Sequence, residues 1–318
     1  MAAVDLGTNS TRLLVADVED GQVREVVRRL RITRLGEGVD VRRRLLPLPV
    51  ARVRNALSDY RRELEGLGAE RTLAFATSAV RDAENGEAFL GEVEWSYGFI
   101  TRLLSGEEEG LLTLRGLAAG RRIHPGTLVV DIGGGSTELV MGRVGHIRFQ
   151  DSLDLGCVRL TERFLASDPP AGAELRACAA AVRATLGERV PDSLRGGVSD
   201  CVGVAGTVTT AAALDLGLVE YDPERIHGHR VSTERIERQR ETLASLPLER
   251  RRQVPGLEPE RAPVIVAGLV ILVEILRHFG LEGVEASERD ILHGAALAAA
   301  DLPERAEGAA PPGAYTCC

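Results

Sequence analysis

Apolar positions along the chain fall into two rhythms. Short continuous or alternating runs predict strands over residues 2–6, 11–17, 22–32 and 73–77, then over the two arms of 129–140, with 146–152 continuing that second sheet. Helical spacing predicts helices over 49–67, 85–97, 171–186 and 233–243. Gly68 closes the first of these, and Trp95, the only tryptophan, is expected to pack inward. Residues 264–273 are continuously apolar, but Glu274 and Arg277 follow. That run is too short for a membrane span, which needs about 20 residues, and predicts a buried core helix over 263–279. Ser287 is expected to open a last helix ending near residue 300, with Glu288 and Asp290 in its first turn.

Residues 120–125 interrupt these patterns and read as a link. The expected division is a first lobe over 1–122, a second over 123–302, and a disordered tail over 303–318 rich in Ala, Gly and Pro.

One pattern occurs twice. Residues 4–15 read VDLGTNSTRLLV, and 130–141 read VDIGGGSTELVM. Val4, Asp5, Gly7, Ser10, Thr11 and Leu13 match Val130, Asp131, Gly133, Ser136, Thr137 and Leu139 at one fixed offset. A repeated hairpin suggests a duplicated, two-lobed architecture. Each copy carries a strand ending on a carboxylate and then a glycine turn whose N–H groups can converge on an anion. Candidate phosphate ligands are Gly7, Thr8, Asn9 and Ser10 in the first copy, and Gly133, Gly134, Gly135, Ser136 and Thr137 in the second. Asp131 and Glu138 can hold a hard cation such as Mg2+, which favours a few carboxylates plus phosphate oxygens. The informative mismatch is Arg12 against Glu138, which places Arg12 near substrate phosphate and Glu138 near the metal.

Other turns add candidates. Arg81 follows the strand 73–77, where ligand-binding residues of α/β sheets gather. Ser105 is a plausible helix cap followed by Glu107, Glu108 and Glu109. Capping accounts for acids there, while a carboxylate near substrate could instead activate water, and spacing alone does not choose among the three. Gly206 and Thr207 sit at a strand-to-helix turn suited to an anion. His227 and His229 lack further metal ligands nearby, and Cys157 reads as a packed thiol.

Composition narrows the function. The formal charge of −8 makes a general nucleic-acid binder unfavourable. The chain has no lysine, so all 39 Lys-or-Arg positions are arginine. This excludes a lysine-bearing P-loop and the kinase lysine that pairs with ATP phosphates. Five cysteines without a metal or disulfide spacing, and no signal peptide, fit a reducing cytoplasm.

Taken together, the segments VDLGTNSTRLLV, FATSAVRDAENG, LSGEEEGLLT, VVDIGGGSTELV, LGCVRLTERF, GVAGTVTT and VPGLEPERAPVIVAG, in this order, resemble the exopolyphosphatase and guanosine pentaphosphate phosphohydrolase (Ppx/GppA) family, in a short actinobacterial-type form. The resemblance implies an α/β fold of the actin-like ATPase, sugar-kinase-like and ribonuclease H-like kind, with two lobes of mixed sheets and helices around a deep cleft. It implies hydrolysis of a terminal phosphoanhydride with Mg2+ or another divalent cation. Carried over residue by residue, it makes Glu109 the catalytic glutamate, Arg81 the arginine of the TSAVRDA segment that stabilises developing charge, and Asp131 and Glu138 the metal carboxylates. Asp5, the matching acid of the first hairpin, joins the metal group and opens the first phosphate loop. Longer relatives add a C-terminal helical region with an HD-type domain, and this sequence stops before it, leaving the grip on long polymers without that support.

The expected partners are polyphosphate or a guanosine penta- or tetraphosphate, with no nucleic acid and no membrane, and a homodimer as an open option. The rival readings are 5′-phosphohydrolysis of guanosine pentaphosphate, a kinase or ATPase on the same scaffold, and a non-catalytic alarmone-binding sensor.

Overall fold

A computed structural model describes residues 1–302, so the expected tail, with Cys317 and Cys318, lies outside the described residues. The chain forms two compact units, one of Met1–Arg121 together with the segment from Ile291 onward, the other of Arg122–Asp290.

The first unit runs β1 (Ala2–Leu6), β2 (Ser10–Glu19), β3 (Gln22–Ile32), α1 (Val39–Arg42), α2 (Pro47–Leu67), β4 (Thr72–Ala76), α3 (Ser78–Arg81), α4 (Gly86–Tyr97), β5 (Ile100–Leu103) and α5 (Gly106–Ala118). Its sheet has the order β3-β2-β1-β4-β5. β1 to β3 form an antiparallel meander, and β4 and β5 run parallel to β1. Every residue of β1 is buried, as a strand in the middle of a covered sheet requires. The edge strand β3 carries Arg24, Arg28, Arg29 and Arg31, charges that blunt pairing with another chain. Proline in the first turn opens α2 and Gly68, at φ 65°, closes it. α2 buries Val53, Leu57, Tyr60 and Leu64, one helical stripe, and the Tyr60 hydroxyl donates to Thr11 O at 2.9 Å. The stripe of α4 is Gly86, Phe89, Leu90 and Val93. Trp95 falls off that stripe and is 63% exposed, against the inward packing expected of it.

The second unit runs β6 (Thr127–Ile132), β7 (Thr137–Arg143), β8 (His146–Leu153), α6 (Cys157–Phe164), α7 (Gly172–Arg189), α8 (Asp192–Arg195), β9 (Asp200–Val204), α9 (Ala205–Asp215), α10 (Pro223–Ile226), β10 (Arg230–Ser232), α11 (Thr233–Ser245), α12 (Leu248–Arg251), α13 (Ile265–Phe279) and β11 (Gly283–Ala286). Its sheet has the order β10-β11-β9-β6-β7-β8. Apart from the added edge strand β10, this repeats the first unit: an antiparallel meander, then two strands parallel to the first of it. The duplication inferred from the paired hairpins is therefore a duplication of whole sheets, the arrangement that an actin-like fold implies. α13 is apolar on nearly all sides and buried from Ile265 to Leu276, as expected of a core helix. Each fully buried Leu, Ile or Val in it contributes about 1.5–3 kcal/mol relative to exposure.

The last helix, α14 (Ile291–Ala300), belongs to the first unit rather than to the second, where the sequence pattern had placed it. Its Ile291, Leu292, Ala295, Ala296 and Ala299 pack with Ala3, Leu14, Leu73 and Phe75 on one face of the first sheet. It also starts later than expected. Ser287 caps only a tight local turn, with its hydroxyl donating to Arg289 O at 2.9 Å and accepting from Arg289 N at 3.1 Å. Glu288 and Asp290 are buried at the end of β11 instead of lying in a helical first turn. No helix among the described residues is long and apolar enough to cross a membrane.

Candidate active site

In the first unit, Asp5 and Arg12 stand opposite each other across β1 and β2, so their side chains share a face. Arg12 donates to Asp5 Oδ2 through Nε at 2.8 Å and Nη2 at 2.6 Å. Asp5, grouped with the metal carboxylates by its place in the repeat, is thus already matched by a cation from its own hairpin. The turn closes with the Gly7 N–H donating to Ser10 O at 3.0 Å, so the Gly7 amide is spent on the hairpin rather than on a phosphate. Beyond it, Thr8 O accepts from Gly36 N, and Asn9 O accepts from Thr33 N and Arg34 N. A trans peptide points its C=O and the next N–H in opposite directions. The N–H groups of Asn9 and Ser10 therefore turn away from the 33–36 loop. The Thr8 hydroxyl accepts from Ala79 N at 3.3 Å and holds the start of α3, which leaves its own O–H as a donor.

α3 places Arg81, and α5 places the three glutamates. Ser105 accepts from Glu108 N at 3.2 Å, while the Glu108 carboxylate accepts from Ser105 N at 2.8 Å, a complete capping box. Glu107 and Glu108 are exposed, whereas Glu109 is 6% exposed. Burial separates the three side chains: Glu108 serves the helix end and Glu109 points inward. Arg81 Nη1 donates to Glu109 Oε1 at 2.6 Å and to Leu104 O at 2.7 Å. The guanidinium offsets the cost of burying that carboxylate, and removing one partner of such a buried pair costs about 3–5 kcal/mol.

The second unit repeats the hairpin with a different charge pattern. Gly133 N–H donates to Ser136 O at 3.0 Å, the same closure as in the first. Asp131 and Glu138 stand opposite each other across β6 and β7. Glu138 is 3% exposed and accepts from Ser152 Oγ at 2.8 Å. The glycine loop is seated on α6. Cys157 N–H donates to Gly133 O at 3.0 Å, Val158 and Arg159 N–H donate to Gly134 O at 2.9 and 3.1 Å, and Arg159 Nε donates to Gly135 O at 2.7 Å. Three successive carbonyls thus face α6, so the N–H groups of Gly134, Gly135 and Ser136 turn the other way, side by side. Such a row of amides is a nest for an anion. Gly156 permits the seating, since a Cβ there would stand 2.1 Å from Gly134 O. Thr137 does not join the nest through its side chain. It is fully buried, and its hydroxyl donates to Leu155 O on the face opposite Glu138.

Asp131 and Glu138 are the residues that could hold a cation. Among the described residues no three of His, Cys, Asp and Glu come together as metal ligands. Mg2+ keeps several waters and binds through one or two carboxylates and substrate phosphate oxygens, which Asp131 and Glu138 fit.

A fourth group lies at the start of α9. Ala205 sits at φ 64°, a strained conformation for a residue with a Cβ. Gly206 makes room for Arg261, since a Cβ there would stand 1.5 Å from Arg261 Nη1. Arg261, which local pattern gave no reason to single out, is held through Nε by Glu258. It brings a guanidinium to a helix N-terminus, a favourable anion seat. Thr207 is buried beside it. Cys157 is an inert thiol, pushed up to about 11 by burial. His229 Nε2 lies 2.7 Å from Asp215 Oδ2, and His227 Nδ1 accepts from Glu288 N at 3.2 Å, so both histidines are polar structural groups.

The Ppx/GppA phosphatase family matches residues 14–301. Exopolyphosphatase 2 of Mycobacterium tuberculosis is 39% identical over 94% of this chain and 98% of its own length. A guanosine-5′-triphosphate,3′-diphosphate pyrophosphatase of Aeromonas hydrophila is 32% identical over 88% of this chain and 55% of its own length. The crystal structure of the Aquifex aeolicus Ppx/GppA family member superposes with a TM-score of 0.78 at 32% identity, covering 93% of this chain and 96% of that one. The chain belongs to the Ppx/GppA phosphatase family.

Proposed function

We propose that the chain hydrolyses the terminal phosphoanhydride of inorganic polyphosphate and releases orthophosphate, using a divalent cation, with Mg2+ the expected one. The observation that carries this reading is the buried Glu109 carboxylate, held by Arg81 and relieved of helix capping by its neighbour Glu108. Binding alone gives no reason to bury a carboxylate so placed, which weighs against a non-catalytic sensor.

In this reading Glu109 takes the proton of the attacking water. Arg81 fixes the Glu109 carboxylate through Nη1 and has further N–H donors for developing charge. The amides of Asn9 and Ser10, and those of Gly134, Gly135 and Ser136, are the donors assigned to phosphate oxygens. Charge in phosphoryl transfer spreads over those oxygens, so positioned donors act mainly by electrostatics. Asp131 and Glu138 hold the cation, which when bound neutralises phosphate charge. Arg12 orients Asp5, and Arg261 adds a cationic group at α9.

A second reading, 5′-phosphohydrolysis of guanosine pentaphosphate, uses the same groups and draws on the similarity to the Aeromonas pyrophosphatase. Phosphate release from polyphosphates, guanosine pentaphosphate and ATP, each with and without Mg2+, separates the readings. ADP formation from ATP as the fastest reaction would instead indicate an ATPase. Glu109→Gln is expected to slow release about 10²–10⁴-fold with substrate binding retained. Turnover close to that of the parent would remove Glu109 from the role of base.

A further inference from the structure

The second unit contains a cavity of ≈ 520 Å³ between α7, α11 and α13. Small-molecule sites commonly span about 300–1,000 Å³. None of its lining residues belongs to the glycine hairpins or to α9. Its floor is apolar, with Ala179, Ala244 and Val270 buried and Leu175 beside them. Its rim is cationic, with Arg176, Arg183, Arg240 and Arg277 set against only Glu241 and Glu274 in the wall. That balance opposes the net charge of −8 on the whole chain.

The rim is organised. Glu274 is 3% exposed on α13, where it accepts from Arg183 Nη1 at 3.0 Å and stands 3.6 Å from Arg277 Nη1. The buried Glu274 carboxylate therefore holds Arg183 at the wall, while Arg277 is held chiefly by Glu237, through Nε at 2.8 Å and Nη2 at 2.7 Å. A guanidinium carries five N–H donors, and Arg183 gives one of them to Glu274. Arg176 has no hydrogen-bond or ion-pair partner among the described residues. Arg240 donates to Glu241 at 3.2 Å, so the spare donors beside the apolar floor are chiefly those of Arg176 and Arg183.

We propose that this cavity binds a nucleoside phosphate. Both halves of such a ligand are used: a base covers the apolar floor and stacks on arginine planes, and a phosphate takes the unspent N–H donors. Inorganic polyphosphate has no apolar body, so it gains nothing from the floor. The site is separate from the hydrolytic groups and does not depend on their assignment.

The test is equilibrium dialysis of the full chain in EDTA, with ATP, inorganic tripolyphosphate and adenosine as probes. ATP is expected to occupy one equivalent more than tripolyphosphate, and adenosine to bind weakly. Arg176→Glu breaks no ion pair, and Ser245→Trp fills the mouth from an exposed position. Each is expected to weaken the extra ATP equivalent about tenfold or more while leaving polyphosphate hydrolysis in the absence of nucleotide unchanged. Equal occupancy by tripolyphosphate, or ATP binding unaffected by both substitutions, would overturn the proposal. Because binding is read without cation, a failed hydrolysis assay leaves this result interpretable.

Discussion

Asp131 on β6 and Glu138 on β7 face each other across one rung of their hairpin, at the position that Asp5 and Arg12 fill in the first unit. One rung is complete as an ion pair, with Arg12 Nη2 at 2.6 Å from Asp5 Oδ2. The other sets like charge against like, which is unfavourable for directly opposed residues. Two effects of opposite sign follow for Glu138→Gln, which keeps an acceptor for Ser152. In EDTA the variant is expected to be more stable than the parent, by about 0.2–1 kcal/mol. In the assay it is expected to need roughly 10–100-fold more Mg2+ for half-maximal phosphate release. Denaturation midpoints and a Mg2+ titration check the pair, and an unchanged Mg2+ requirement would move the cation elsewhere.

Arg159 is expected to act on turnover without touching the reacting atoms. Its Nε holds Gly135 O at 2.7 Å and so fixes the direction of the following amide. Arg159→Gln should let the loop shift, and a displacement of about 1 Å can cost on the order of 10²-fold in rate. Gly156→Ala should act in the same sense from the backbone side, because its Cβ has no space beside Gly134 O. The distinguishing readout is affinity for orthophosphate as product inhibitor, which should weaken in both variants, while a purely structural role would lower stability and leave that affinity alone.

Acid sensitivity of the second unit is expected to include His278. Burial and the nearby Arg195 hold its imidazole below the ordinary histidine value, with Asp192 opposing them. Arg195 Nε lies 3.2 Å from His278 Nε2. The unfolded chain takes the proton near pH 6.5, whereas the folded chain resists it. This group's contribution to stability is therefore full above about pH 6.5 and falls away as pH drops toward the folded value. Urea midpoints of the parent should decline between about pH 7.5 and 5, and His278→Asn should flatten part of that decline. An identical slope in the variant would clear His278.

Much of this molecule was legible in the sequence because its main signals are local. The two hairpins, the Ser105 cap and the buried run of α13 each declare themselves within a few residues of chain. What remained hidden depends on partners far apart. Nothing around Glu107, Glu108 and Glu109 says which one turns inward until the capping box engages Glu108. Arg261 reaches Gly206 only because α13 and α9 pack in one core. Thr137 looks like a phosphate ligand in a linear pattern, yet its hydroxyl donates to Leu155 O. Ser287 failed as a helix cap for the opposite reason, since its short-range bonds to Arg289 compete with helix initiation.

The return of α14 to the first sheet has a consequence for synthesis. Phe75 and Leu73 keep one flank uncovered until Ile291 and the residues after it have left the ribosome. The second unit, encoded wholly in between, has all its parts earlier. Assembly on the ribosome is thus inverted relative to sequence order, with residues 122–290 yielding the first finished body and residues 1–121 waiting for residues 291–300.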